Sequence, residues 1–241
     1  MLKLPTIRGL IERRILANYR IDPDVMQANL PLPFRPKLVN GYGLGGICLI
    51  RLRAIRPRFF PFPWGIGSEN AAHRFAVEWD ADGKQHQGVY IPRRDTSSWL
   101  NALAGGRIFP GEHHRASFMV NETAEYLSVN LKSNDGKTRV SVAGSVCTKF
   151  PESSVFESLT AASNFFQAGS LGYSATNTNG RYDGMELICH QWKVKSLQVD
   201  RIESSFFEDR SRFPSGSVVF DCALLMRQIE HEWRGREDLC C

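Results

Sequence analysis

A glutamate, two histidines and an arginine stand in a row at Glu112-His113-His114-Arg115, with Arg107 a short distance before them. Imidazole is the side chain whose unperturbed pKa lies nearest neutrality, so this cluster has the means to move protons or hold an anion. Gly105-Gly106 releases the backbone from a short amphipathic segment, and Pro110-Gly111 turns it again. By residue type alone, a solvated turn carrying polar side chains is the plainer reading.

Two other stretches carry chemistry-bearing groups. Glu69 is followed closely by Asn70, His73 and Arg74. Its carboxyl is either one half of an acid–base pair or a buried acid bonded to an arginine. Arg51, Arg53, Arg56 and Arg58 run into Phe59, Phe60, Phe62 and Trp64. Interleaved cations and rings suit single-stranded nucleic acid, because phosphates take charge and bases take flat partners. Against this, Pro57, Pro61, Pro63 and Gly65 favour a structured loop, and arginine stems commonly cover a strand's wet face. The loop reading is preferred. A metal is not indicated: Glu112, His113 and His114 are contiguous, and no His-x-His or HExxH spacing gives them a common face. His190 reads as a core or surface residue. No nucleotide-binding loop, Ser-His-Asp order or cofactor fingerprint occurs.

The 241 residues, 42% hydrophobic and 23% charged, suit a globular chain with a real core, read as one domain over 1–241. No apolar run is long enough to span a bilayer, and the charged first residues do not form a secretory leader. Six scattered cysteines without Cys-x-x-Cys spacing read as reduced thiols, which points to the cytoplasm. A net charge of +5 permits an acidic partner without requiring one. Self-association is equally permitted.

Strands must position these groups. Residues 15–20 read as a strand, and Asp22-Pro23 as a helix start that Pro31-Leu32-Pro33 ends. Residues 37–40 and 47–55 pair around Gly41-Tyr42-Gly43, with Arg51 and Arg53 on a wet face. His73, Phe75, Val77 and Trp79 share one face of the next strand. Asp82-Gly83 and Asn134-Asp135-Gly136 mark hairpins flanked by alternating residues, strong evidence for an antiparallel sheet. Ser154-x-x-Glu157 reads as a capping box that opens the longest helix, over 151–168, closed by Gly169. Residues 170–184 read as a loop, 185–199 as one or two strands broken near Lys195, 218–226 as a last strand, and 227–241 as a polar tail.

The order of these motifs resembles that of the acetoacetate decarboxylase superfamily, closer to its uncharacterised branch. Asn18-Tyr19-Arg20-Ile21-Asp22-Pro23-Asp24 resembles the family's strand-to-helix start, and Leu30-Pro31-Leu32-Pro33 the end of that helix. Gly67-Ser68-Glu69 resembles the segment holding an active-site glutamate. Gly106-Arg107 through His114-Arg115 resembles the segment leading to paired lysines, and Tyr182-Asp183-Gly184 through Ile188-Cys189 an aspartate-glycine turn and its strand. The resemblance implies a mainly β (α+β) fold: a closed, strongly bent antiparallel barrel with a few packed helices and an interior pocket.

In the decarboxylases a lysine amine, its pKa lowered by burial and a second lysine, forms a Schiff base with a β-keto acid. Counted without gaps from Gly106-Arg107, those two positions hold His114 and Arg115 here. An imidazole nitrogen has no second hydrogen to lose, so Schiff-base decarboxylation is not expected. The resemblance implies that Glu69 and His114 share a cavity lined by His73, Phe75, Val77 and Trp79, with Arg115 holding an anion and His113 nearby. Arg13 corresponds, with a one-residue gap, to the family's N-terminal arginine. The leading expectation is a protein that binds a small carbonyl or carboxylate compound without a cofactor. A lyase- or hydratase-type enzyme using His114 and Glu69, and a nucleic-acid module using Arg51 to Arg58, are the alternatives.

Overall fold

A computed structural model describes residues 5–62, 64–105 and 110–240. The elements follow one another as β1 (Ile7–Ile21), α1 (Pro23–Ala28), β2 (Arg35–Pro36), β3 (Leu38–Val39), β4 (Tyr42–Pro57), β5 (Ile66–Ala81) and β6 (Lys84–Thr96). Then come α2 (Trp99–Ala104), β7 (His113–Glu122), β8 (Tyr126–Ser133), β9 (Arg139–Cys147) and α3 (Leu159–Ala168). The chain finishes with β10 (Leu171–Ala175), β11 (Arg181–Cys189), β12 (Lys195–Ser204), β13 (Val218–Gly235) and β14 (Leu239–Cys240).

Local chemistry explains the turns. Asp22 caps α1 by accepting from the backbone N–H groups of Asp24 and Val25, and Pro23 occupies the first turn, where its missing N–H is not needed. Asp82 and Gly83 both have positive φ, 50° and 70°, the conformation of a tight hairpin between β5 and β6. The Asn134-Asp135-Gly136 turn joins β8 to β9 through a longer loop in which Gly136 takes the positive φ, 73°.

The architecture is mainly β and closed, as expected. The ladder runs β6-β7-β8-β9-β12-β13-β1-β4-β5 and shuts because β5 pairs with β6. A second circuit uses β6, β10, β11 and β13, since β10 pairs with β6 and β11 with β13, and returns through β1, β4 and β5. Most pairings are antiparallel; β6 pairs in parallel with both β7 and β10.

The strands common to the two circuits form a wall, and successive side chains leave it on opposite faces. One face fills the first circuit with Ile15, Ala17, Leu49, Phe75, Val77, Val129 and Val142 among others, joined by Phe207 and Phe213. Each such burial stabilises by roughly 1.5–3 kcal/mol. The opposite face carries Leu16, Cys48, Ile50 and Leu52 and meets α3 through Ala162 and Phe166.

Three expectations need correction. The longest helix is α3 but begins at Leu159, capped by Ser158; Ser154 does not cap it, because its hydroxyl donates to Asp221 (2.6 Å). Residues 170–184 are not a loop: β10 and β11 form there because β6 and β13 offer free edges. The polar tail is largely strand, since Ile229 and His231 point inward from β13 while Glu230 stays exposed.

Candidate functional site

Every strand of the second circuit, together with α2 and α3, contributes to a cavity of about 720 Å³. That volume suits a small organic ligand. Apolar groups dominate the wall, among them Leu16, Ile50, Leu52, Ile91, Phe166 and Leu187. The polar lining residues are Arg14, Arg56, Arg74, Arg94, Asp95, Asn70, Asn101, Ser68, Ser170 and His113. No lysine lines the cavity among the described residues.

Arg14, Arg56, Arg74 and Arg94 have no carboxylate partner among the described residues, and the carboxylate of Asp95 is bonded to Arg93 (2.8 Å). Arg14 donates through Nε to Cys48 Sγ (3.3 Å) and lies 5.6 Å over the Trp192 ring. Arg74 donates through Nη2 to Asn18 Oδ1 (2.6 Å), with its guanidinium 4.8 Å from the Phe166 ring. Arg94 donates through Nε to Ser174 Oγ (3.2 Å). Burial lowers the pKa of Arg74 and of Arg94 to about 10. Both remain charged at neutral pH, in surroundings where an anion would be held strongly.

His113 stands between this cavity and a smaller polar one of about 460 Å³. Its Nδ1 is 3.1 Å from the Gly111 carbonyl. A carbonyl only accepts, so Nδ1 carries the proton of the neutral ring. Burial, then the Arg94 charge, push the pKa of His113 down to about 3. Two glycines permit this placement. Gly111 has φ +71°, and a Cβ on Gly105 would lie 2.6 Å from His113 Nδ1.

Residues 11–220 match the model of DUF2071, described as "Uncharacterized conserved protein (COG2071)". The chain belongs to the DUF2071 family. Among solved structures it is similar to the acetoacetate decarboxylase of Legionella pneumophila (TM-score 0.64, 10% identity, 98% of this chain and 88% of that one). It is also similar to the enduracididine biosynthesis enzyme MppR complexed with a condensation product of pyruvate and imidazole 4-carboxaldehyde (0.64, 10%, 99% and 90%). An acetoacetate decarboxylase-like enzyme from Sphingomonas wittichii RW1 gives 0.61 at 10% identity, covering 100% and 94%. At such identities the likeness shows the fold: this DUF2071 chain has an acetoacetate decarboxylase-like one. No curated protein matches it in sequence.

In this DUF2071 chain the residues expected at the site are distributed differently. Glu69 does not open onto the cavity. It is hydrogen-bonded to Arg13 and Arg51, and Glu122 completes the cluster through Arg13 (3.1 Å) and Arg51 (2.5 Å). His114 leaves β7 on the side opposite His113, with Nδ1 3.6 Å from Asp135 Oδ2, and reaches only the smaller cavity. Arg115 is bonded to the Ser97 carbonyl. His73 is buried against Ser204 Oγ (3.2 Å) and stacks on Phe206 (4.5 Å); burial pushes its pKa down to about 3. Phe75, Val77 and Trp79 lie in the filled core. The expectation of one cavity shared by Glu69 and His114 and lined by these residues is therefore corrected. The physical reason is the period-two alternation of a strand: Arg13, Glu69 and His114 are each one residue from the cavity-facing Arg14, Asn70 and His113. Gly106-Arg107, with Ile108 and Phe109, lies outside the described residues.

The alternation within β5 was a usable signal for the residues that were missed. Ser68, Asn70, Ala72 and Arg74 share one parity, and the larger apolar residues Phe75, Val77 and Trp79 the other. The more apolar parity packs; the mixed one faces the cavity.

The basic-aromatic segment is structurally engaged. Arg51 belongs to the Glu69 cluster, Arg53 pairs with Glu12 (3.0 Å), Arg56 donates to the Ala54 carbonyl (2.8 Å) and Arg58 lies 3.4 Å from Glu232. This favours the loop reading over nucleic-acid binding. Among the described residues there is no cluster of three or more groups suited to a metal. Nor is any helix there long and apolar enough to cross a membrane.

Proposed function

We propose that the 720 Å³ cavity binds a small organic carboxylate or carbonyl compound and does so without a Schiff-base lysine. The observation that carries this reading is the convergence of Arg14, Arg74 and Arg94, none with a carboxylate partner among the described residues, on a mostly apolar wall whose carboxylate, Asp95, is bonded to Arg93. Buried guanidinium groups without counter-charges are costly, and a ligand carboxylate supplies what the chain leaves out. The ligand's apolar body then lies along Ile50, Leu52 and Leu187. Asn70 and Ser68 offer further hydrogen bonds.

Where this ligand is turned over, His113 is the group placed to take a proton, since burial keeps its imidazole neutral. The acid–base role expected of His114, with Glu69 and Arg115, passes in this proposal to His113 and the cavity arginines. The described cysteines are free, in keeping with a cytoplasmic setting.

Calorimetry with octanoate, octanol and octylamine tests the reading. Octanoate is expected to bind at least about tenfold more tightly than either neutral or cationic analogue, a difference of about 1.4 kcal/mol. Arg94→Met should remove that preference. Equal binding of the three compounds, or no binding of octanoate, would overturn the proposal.

A further inference from the structure

Among the cavity residues, Cys48 is the one whose surroundings the binding reading leaves unexplained. It is 8% exposed, lies on β4, and lines the cavity beside Arg14 and Arg74. Its Sγ receives the Arg14 Nε hydrogen at 3.3 Å. A guanidinium has donors only, so the sulfur is the acceptor in this contact and its lone pair faces a cation. Arg74 and Arg94 are within electrostatic reach of the same sulfur. A second observation points to a ligand independently. Arg74 is 6% exposed, yet its Nε has no hydrogen-bond partner among the described residues. A buried cation with no carboxylate against it among the described residues is expensive, and a bound anion lying near its guanidinium would supply the counter-charge.

The other cysteines differ. Cys222 accepts from Asn18 Nδ2 (3.6 Å), and burial together with Asp221 raises its thiol pKa. Cys147 is bonded to the Lys149 carbonyl at 3.1 Å, and Cys240 is exposed.

We propose that Cys48 is a covalent capture site, its thiol adding to the carbon–carbon double bond of an anionic, carbonyl-conjugated ligand whose carboxylate lies against the cavity arginines. The sulfur forms a bond to the β-carbon as the π pair moves toward the carbonyl oxygen. The thiol proton ends on the α-carbon. Net, S–H adds across C=C, so nothing is oxidised or reduced and no co-reactant is needed. The guanidinium groups are placed to hold the negative charge that develops on oxygen. This inference rests on the reading of the cavity as a carboxylate site.

The test uses the full-length reduced protein and compares iodoacetate with the neutral iodoacetamide. Each alkylates a thiol by forming S–C as C–I breaks, releasing iodide and a proton. Rates are read separately at Cys48 and at the exposed Cys240 by peptide mass spectrometry. The iodoacetate-to-iodoacetamide rate ratio at Cys48 should exceed that at Cys240 by at least about tenfold, the effect of a local anion site. Arg74→Met should bring the two ratios together. Monomethyl fumarate, an anionic conjugated electrophile, should leave one adduct per chain on Cys48 and none there in Cys48→Ser. A Cys48 ratio equal to or below that of Cys240, or fumarate adducts on Cys240 while Cys48 stays free, overturns the proposal. Octanoate binding without a Cys48 adduct refutes capture alone, whereas loss of octanoate binding in the wild type refutes the cavity reading beneath it.

Discussion

The wall of β13, β1, β4, β5 and β6 separates two regions built from the same strands but treated in opposite ways. On one face, the first circuit is filled to its centre, and Arg13, Arg51 and Arg93 enter it with carboxylate partners, while Arg212 lies over the Phe206 and Phe213 rings and donates to Asn29 Oδ1. Arg13 and Arg51 meet Glu69 and Glu122, and Arg93 meets Asp95 (2.8 Å) and Asp135 (2.9 Å). On the other face, the second circuit keeps a cavity, and the arginines that enter it meet sulfur, amide and hydroxyl groups. Packing and charge pairing stabilise a fold; an unfilled volume with unmatched cations is what the proposed carboxylate ligand requires. The contrast between matched and unmatched arginines, more than any single motif, marks the proposed site.

The strongest test of this contrast is to remove one counter-charge on the filled side. Glu69→Gln leaves Arg13, only 1% exposed, without a charge it is bonded to. Leaving a buried charge wholly uncompensated costs about 3–5 kcal/mol; Glu122 still meets Arg13 and Arg51, so urea denaturation should show a loss approaching about 3 kcal/mol. Arg74→Met, on the cavity side, removes a buried cation that has no counter-charge. Its effect on stability should stay within about 1 kcal/mol in either direction. Equal losses in the two variants would erase the distinction between the regions.

Sequence patterning carried much of the fold. The Asp-Gly hairpins, the Asp22-Pro23 helix start and the mainly β class follow from local chemistry that tertiary contacts do not override. What escaped was set by partners distant in the chain. Leu171 to Ala175 has loop-like neighbours and becomes a strand because β6 presents Val89 and Tyr90 on one side and Tyr182 to Glu186 of β11 pair with it on the other. The end of β13 looks like a polar tail because its exposed parity is charged, although Ile229, His231 and Trp233 repeat at the strand period. The site was legible as a neighbourhood and not as a set of side chains. Resemblance brought the reading to Glu69 and His114, and each is next to a residue that faces the cavity. On a helix a one-residue slip turns a side chain by about 100°; on a strand it reverses the side chain completely, onto the other face of the wall.

Acid titration sharpens the comparison, because each region buries a histidine. His73 on the filled side and His113 at the cavity are both pushed down to about 3, chiefly by burial. In the unfolded chain each titrates near 6.5. The unfolded state therefore binds more protons below that pH, and stability increases with pH through this window. The contribution is complete above about pH 6.5 and is lost progressively as pH falls toward 3. Urea midpoints measured from pH 7 to pH 4 should decline, and His73→Asn should flatten the decline. Octanoate should flatten it less, since it stabilises the folded state without removing a titrating group. A midpoint that is unchanged or rises on acidification would contradict neutral burial of these rings.

The smallest effect is expected where the wall ends. Arg51 and Arg53 are two residues apart on β4 and by simple alternation belong on one face. The strand is irregular there: Ala54 has φ 52°, and the register against β5 shifts between Leu52 and Ile55. Arg51 consequently enters the Glu69 cluster, while the side chain of Arg53 is 68% exposed and meets only Glu12. An exposed pair of this kind contributes about 0–1 kcal/mol and is screened by salt. Arg53→Ser should thus shift the urea midpoint by an amount equivalent to less than about 1 kcal/mol, and by still less at 1 M salt. Octanoate binding should be unchanged, because Arg53 is not in the cavity wall. Oligonucleotides should bind weakly to wild type and variant alike. A steep, salt-sensitive loss of oligonucleotide binding in Arg53→Ser would instead show that the basic-aromatic segment is a functional surface and that unmatched charge is not confined to the cavity.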